Sequence, residues 1–298
     1  MNPSGPQFHR THYLVRKFTA MLPRSFFSIL LFASLFACTP DSGAGDKEAP
    51  ADYRTFTSFD GETIAYRDSG DGPAVMLLHG FINDGTNWLN TELYQQLLRS
   101  GYRVIVPDMR GNGASAKPHT DAAYADNAEV KDLLRLADEL ELESYVAVGY
   151  SRGSIVLAEL LTQDRRISRA VLGGMGLDFT NPDWARRRQF AAAFGGQTTP
   201  ETEGAVAYAK SVGADLKALH LLQKHQPSTS VAALREVEVP VLVAAGSSDT
   251  DNGDPGALEQ IFRNGTLAKM PGDHNGTYKT PVFAAAVMAF VKAGTKNQ

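Results

Sequence analysis

The chain has 298 residues, a formal net charge of −4, 43% hydrophobic residues and 21% charged residues. That suffices for one large α/β domain or two small ones of ordinary globular composition. The acidic balance without a basic stripe argues against nucleic acid as a partner. A single cysteine, Cys38, excludes an internal disulfide framework and a cysteine-based metal site.

The first feature in chain order is an apolar run over residues 25–37. Residues 1–38 carry four basic side chains (Arg10, Arg16, Lys17, Arg24) and no acidic one. The run falls short of the about 20 residues that span a bilayer. It has the charged start, apolar centre and small-residue exit of a secretory signal. Leu35-Phe36-Ala37-Cys38 resembles the cleavage box of bacterial lipoproteins, with Phe36 where that box usually carries a small residue. The resemblance implies lipidation at Cys38, which becomes the new N-terminus, and a place in the bacterial cell envelope. Thr39 rather than aspartate after the cysteine leans toward the outer membrane. A secretory signal cut elsewhere, or a retained anchor, is the other reading, and either Met1 or Met21 serves as the start. Residues 39–52 are polar and Gly/Ser/Asp-rich, which predicts a flexible tether.

A globular domain is expected over residues 53–298. Residues 53–58 and 63–68 alternate apolar and polar side chains around Asp60-Gly61, a hairpin signal. Residues 74–78 form a wholly apolar strand that ends in His79-Gly80-Phe81. A helix is predicted over 89–99 and a buried strand over 102–107, followed by Asp108-Met109-Arg110-Gly111-Asn112-Gly113-Ala114-Ser115. An amphipathic helix follows over 128–142. Residues 144–148 are short and β-branched, and residues 154–161 are helix-prone. Between them stands Gly149-Tyr150-Ser151-Arg152-Gly153, in the pattern G-x-S-x-G. A serine at such a strand-to-helix apex needs neighbours without bulk two residues to either side. Later strands are expected over 170–172, 239–245 and 266–270, and a closing helix over 281–292.

Strands alternating with helices imply a mostly parallel sheet covered on both faces, with the hairpin as an antiparallel edge. Residues 177–230 break the alternation. They read as a helical lid of two helices, one carrying Trp184, Phe190 and Phe194, the other Leu216, Leu219 and Leu222. An insertion of this kind sits above the C-terminal ends of the strands, where ligands bind. Arg186-Arg187-Arg188 within it reads as a solvated face rather than an anion clamp.

Five stretches stand in the order and setting of the α/β-hydrolase family: His79-Gly80-Phe81, the run Asp108 to Ser115, Gly149 to Gly153, Gly246-Ser247-Ser248-Asp249 and Gly272-Asp273-His274. The chain resembles that family over roughly residues 53–293. The resemblance implies an α/β-hydrolase fold and a serine hydrolase. Ser151 is the expected nucleophile, and a serine hydroxyl needs a base to take its proton. Among the seven histidines, His274 alone follows the last expected strand at the sheet's C-terminal edge, and it is assigned as that base. Asp249 stands where the family keeps the acid that orients the base, with Asp251 and Asp254 as nearby competitors. The oxyanion donors are expected to be the backbone amides of Arg152 and, by resemblance, Phe81. His79 is expected to brace the oxyanion loop, and Asp108 and Arg110 to fix the loop after their strand.

These assignments predict a serine hydrolase that cleaves a carboxylic ester or thioester. No cofactor or metal is implied. A serine rather than an aspartate at 151 argues against the branches with a carboxylate nucleophile. Other cofactor-free chemistry on the same triad, such as C–C bond hydrolysis or perhydrolysis, is the alternative. A non-catalytic binding protein that kept the fold is a third reading.

Overall fold

The computed structural model describes residues 53–295. Cys38, the expected signal and the expected tether lie outside the described residues. Eight strands form one sheet: β1 (Arg54–Thr57), β2 (Thr63–Ser69), β3 (Ala74–Leu78), β4 (Arg103–Pro107), β5 (Tyr145–Tyr150), β6 (Ile167–Gly173), β7 (Val241–Gly246) and β8 (Gly265–Met270). Their order across the sheet is β1-β2-β4-β3-β5-β6-β7-β8. Antiparallel pairing is confined to β1–β2 and β2–β4, and the remaining pairs are parallel. The hairpin edge and the parallel body expected from the sequence are therefore both present.

Ten α-helices lie among the described residues: α1 (Thr86–Leu89), α2 (Glu92–Arg99), α3 (Ala128–Glu139), α4 (Arg152–Leu160), α5 (Ala185–Phe194), α6 (Pro200–Ser211), α7 (Leu216–Lys224), α8 (Val231–Arg235), α9 (Pro255–Glu259) and α10 (Pro281–Thr295). The expected helix over 89–99 is two helices. Thr91 leaves the helical region at ψ 151° and its side chain accepts from the Tyr94 amide, so it caps α2 and ends any continuation from α1.

Alternate side chains of β3 feed two cores. Met76 and Leu78 pack with Val130, Leu133 and Leu136 of α3 and Ile155 of α4. Val75 and Leu77 face Leu93 and Leu97 of α2 and Phe283 and Val287 of α10. Burying each such side chain is worth about 1.5–3 kcal/mol. The period-2 pleat thus covers the central strands on both faces, which is why they read as unbroken apolar runs.

The chain reverses direction across the sheet between β3 and β5. β3 pairs with β4 on one side and with β5 on the other. Segments leaving the C-terminal ends of these two strands part there and open a crevice.

The lid holds three main helices, not two. The helix α6 was hidden because its sequence, PETEGAVAYAKS, has no strong apolar stripe. Its start was nonetheless signalled: Thr199 and Thr202 cap reciprocally and Pro200 opens the first turn. The lid has its own core, with Phe194, Val206, Ala209, Leu219 and Leu222 packed together and Phe81 and Ile82 against them. The lid is therefore seated on the loop that follows β3.

Candidate active site

The turn after β5 is built by exclusion of bulk. Ser151 has φ 54° and ψ −120°, a conformation that costs about 1–3 kcal/mol for a residue with a side chain. A Cβ on Gly149 would meet the Gly153 carbonyl carbon at 2.5 Å, and one on Gly153 would meet the Leu78 carbonyl oxygen at 2.3 Å. Only glycine at both places lets β5, β3 and α4 pass this closely.

Ser151 emerges at the start of α4, His274 follows β8 and Asp249 follows β7. They form one hydrogen-bonded chain. The Ser151 hydroxyl donates to His274 Nε2 at 2.9 Å. His274 Nδ1–H donates to Asp249 Oδ2 at 2.7 Å. The Asp249 side chain is 3% exposed and that of His274 is 24% exposed. The acid is sheltered while the imidazole keeps access to the crevice. Of the competing carboxylates, Asp254 caps α9 through the Gly256 amide, and Asp251 is exposed. Asp273, next to the histidine in sequence, accepts from the Gly276 amide instead.

Three side chains around this chain were not marked as site residues by the sequence. Tyr150 Oη donates to the His274 carbonyl at 2.8 Å, tying the nucleophile turn to the histidine loop. Burial, and then the Asp249 charge, raise the Tyr150 phenol well above its ordinary value, so it stays protonated as a donor. Asn252 Nδ2 donates to Asp249 Oδ1 at 3.3 Å and lies 3.0 Å from His274 Nδ1. Glu129 pairs with Arg152 beneath the turn. Each is an ordinary polar residue in sequence, and only contact across distant segments marks it.

The Arg152 amide opens α4 and has no carbonyl one turn back to bond. A Cβ on Gly80 would lie 3.4 Å from Ser151 Cβ, so the loop carrying Phe81 runs directly against the serine. Phe81 packs edge-on against Phe194 at 5.1 Å and Phe190 at 6.3 Å. His79 braces this loop as expected. Its Nδ1–H donates to the Gly80 carbonyl, and its Nε2 accepts from the Met109 amide, both at 2.9 Å.

The Arg152 side chain points away from the crevice. Its guanidinium is 2% exposed, pairs with Glu129 of α3 and donates to Gln226 Oε1. Removing one partner would leave a buried charge unpaired, which costs about 3–5 kcal/mol. Glu129→Ala is therefore expected to lower unfolding stability by that amount in urea titration. A loss below about 1 kcal/mol is the range of exposed pairs and would show the pair to be solvated.

Asp108 and Arg110 fix their loop, but they do not pair with each other. Asp108 accepts from the Gly85 and Ala114 amides. Arg110 reaches Asp132 on α3 and Asp60 in the hairpin turn. The reading of Arg186-Arg187-Arg188 as a solvated face holds only for Arg188, which pairs with exposed Asp183. Arg187 donates to the last carbonyls of α7, Gln223 and Lys224. Burial, with the Arg152 charge nearby, lowers its pKa. Arg186 lies over the Phe190 ring at 4.8 Å and lines the crevice.

The crevice is a cavity of about 560 Å³ over Ser151 and His274, a size suited to a small molecule. Phe81, Trp88, Phe190, Tyr208 and Tyr278 form much of its wall. Among the described residues, no group of three or more His, Cys, Asp or Glu is placed to hold a metal ion, and no helix is long and apolar enough to cross a membrane.

A family model described as alpha/beta hydrolase fold matches residues 73–224. A non-heme chloroperoxidase of Streptomyces lividans is 28% identical over 279 residues, covering 80% of this chain and 99% of that protein. A 2-hydroxymuconate semialdehyde hydrolase of Pseudomonas sp. is 35% identical over 140 residues, 43% of this chain and 49% of that protein. Several curated relatives are matched over less than half of their length, for example 39% of one from Synechocystis sp.. Among solved structures, an esterase from Exiguobacterium antarcticum is similar in fold, with a TM-score of 0.68 at 19% identity, covering 80% of this chain and 98% of that one.

Proposed function

Because the chain belongs to the alpha/beta hydrolase fold family, we propose that it is a serine hydrolase that cleaves a carboxylic ester or thioester. The observation that carries this reading is the unbroken chain from Ser151 and His274, which line the cavity, to the buried Asp249. In the first half-reaction Ser151 Oγ bonds to the substrate carbonyl carbon and its proton passes to His274 Nε2. The tetrahedral oxyanion faces the amides of Arg152 and Phe81. Collapse breaks the bond to the leaving alcohol or thiol, which takes the proton from His274. Water then attacks the acyl-enzyme with His274 again as base, and the acid is released. Asp249 holds the imidazole tautomer and offsets its transient charge.

Fluorophosphonate labelling tests this reading. The purified protein should be labelled stoichiometrically, and Ser151→Ala should abolish the labelling. Labelling that survives the substitution, or never occurs, contradicts the serine mechanism. The relative named non-heme chloroperoxidase favours a second reading, in which hydrogen peroxide replaces water and the acyl-enzyme leaves as a peracid. Adding peroxide to the same assay distinguishes the two by the product formed.

A further inference from the structure

Setting the two histidines aside, the charged side chains that line the cavity are Arg186, Lys279 and Asp251. Two are cations in a chain whose net charge is negative. They come from different elements. Arg186 stands in the first turn of α5, and Lys279 in the short turn between β8 and α10. Each is held over an aromatic wall residue, Arg186 on Phe190 at 4.8 Å and Lys279 on Tyr278 at 5.2 Å. A guanidinium stacked on a ring keeps its N–H donors at the edge, and an ammonium beside a ring has three rotatable donors that cannot all point at it.

Neither cation is neutralised by a close partner. Among the described residues, the carboxylate paired with the Arg186 guanidinium is Asp251, at 4.0 Å, and it is 65% exposed. At that distance and exposure an ion pair is weak and is readily exchanged for another carboxylate. No ion pair to Lys279 is formed among the described residues. The triad of the proposed mechanism does not need either charge. The cavity thus combines an apolar aromatic wall with two under-used donors of positive charge.

We infer that the preferred substrate is an ester whose far end carries a carboxylate, such as the monoester of a dicarboxylic acid, with its charge held by Arg186 and Lys279. This inference rests on the acyl-transfer reading for its chemistry and deepens it by naming the substrate class. Asp251 opposes an anion at the same place. It shares Arg186 and therefore sets how strongly the charge is preferred.

The test uses 4-nitrophenyl monoesters of succinic, glutaric and adipic acids, each beside the diester whose far carboxyl is capped by methyl. The readout is the ratio of kcat/KM for the anionic ester to that for its capped counterpart. The ratio is expected to exceed one for at least one chain length and to fall as salt is added. Arg186→Gln and Lys279→Gln should each lower it about three- to fivefold, the upper part of the range of exposed charge pairs. Asp251→Asn should raise it, and Arg188→Gln, on the outer face, should leave it unchanged. A ratio at or below one for all three acids, or a ratio insensitive to both cations, overturns the inference.

Calorimetric binding of the same esters to Ser151→Ala separates the two ideas. A protein that takes the fluorophosphonate but shows no anionic preference in kinetics or binding loses the inference and keeps the serine mechanism. A protein that refuses the label while its Ser151→Ala form binds the monoester in an Arg186-dependent way keeps the anion site and loses the mechanism.

Discussion

Replacing His274 with alanine is expected to lower kcat by about 10⁵- to 10⁶-fold, comparable to loss of the base in a serine protease. The reason is geometric. His274 Nε2 lies 2.9 Å from Ser151 Oγ, and His79, the other histidine lining the cavity, has both ring nitrogens committed to the Gly80 carbonyl and the Met109 amide. Among the described residues no other imidazole is left at the cavity to take over the proton. Residual activity should come from the amide donors and binding alone, about 10³–10⁴ above water. Measuring kcat on a nitrophenyl ester, with circular dichroism to show that the fold is intact, checks this. A loss smaller than about tenfold would mean that the proton leaves by another route.

Asp249→Asn is the second large effect, expected at about 10⁴ in kcat. The substitution preserves shape but removes the charge that fixes Nδ1 as the protonated nitrogen. Asn252 already stands 3.0 Å from Nδ1, yet an amide cannot steady an imidazolium as a carboxylate does. Asp251→Asn and Asp254→Asn should leave kcat on a neutral ester nearly unchanged, since one side chain is exposed and the other caps α9. Asp249→Asn combined with His274→Ala should cost little more than His274→Ala alone, because the acid acts only through the base. Additive losses would show that Asp249 does something other than orient His274.

The parts legible in the sequence share one property: their physical cause is local. The nucleophile turn was readable because steric exclusion at Gly149 and Gly153 acts within five residues. The strands β3, β5 and β7 were readable because burial on both faces demands unbroken apolar runs. Asp249 was reachable through the family resemblance just after the buried β7, and His274 because it follows the last strand, β8, whose own pattern is mixed. The helix α6 escaped notice because its apolar residues make only a weak stripe, although Thr199, Pro200 and Thr202 carry its capping signal. The break between α1 and α2 escaped for a similar reason. A threonine inside a helix-prone stretch becomes a cap only when its own backbone turns extended.

What sequence alone determined about this protein is the alternation of strands and helices, the two-faced core and the tight turn at Ser151, since propensity, periodicity and steric demand are properties of short stretches; Asp249 was pointed to by family resemblance. What only the tertiary structure decided is which long polar side chain faces what. Three consecutive arginines take three different roles: Arg186 on the cavity, Arg187 at the end of α7 and Arg188 in solvent. Successive helical residues are rotated by about 100° from one another, so neighbours in sequence meet different surroundings. Of those surroundings, the Phe190 ring is one turn further along α5, while α7 and the exposed Asp251 belong to segments tens of residues away.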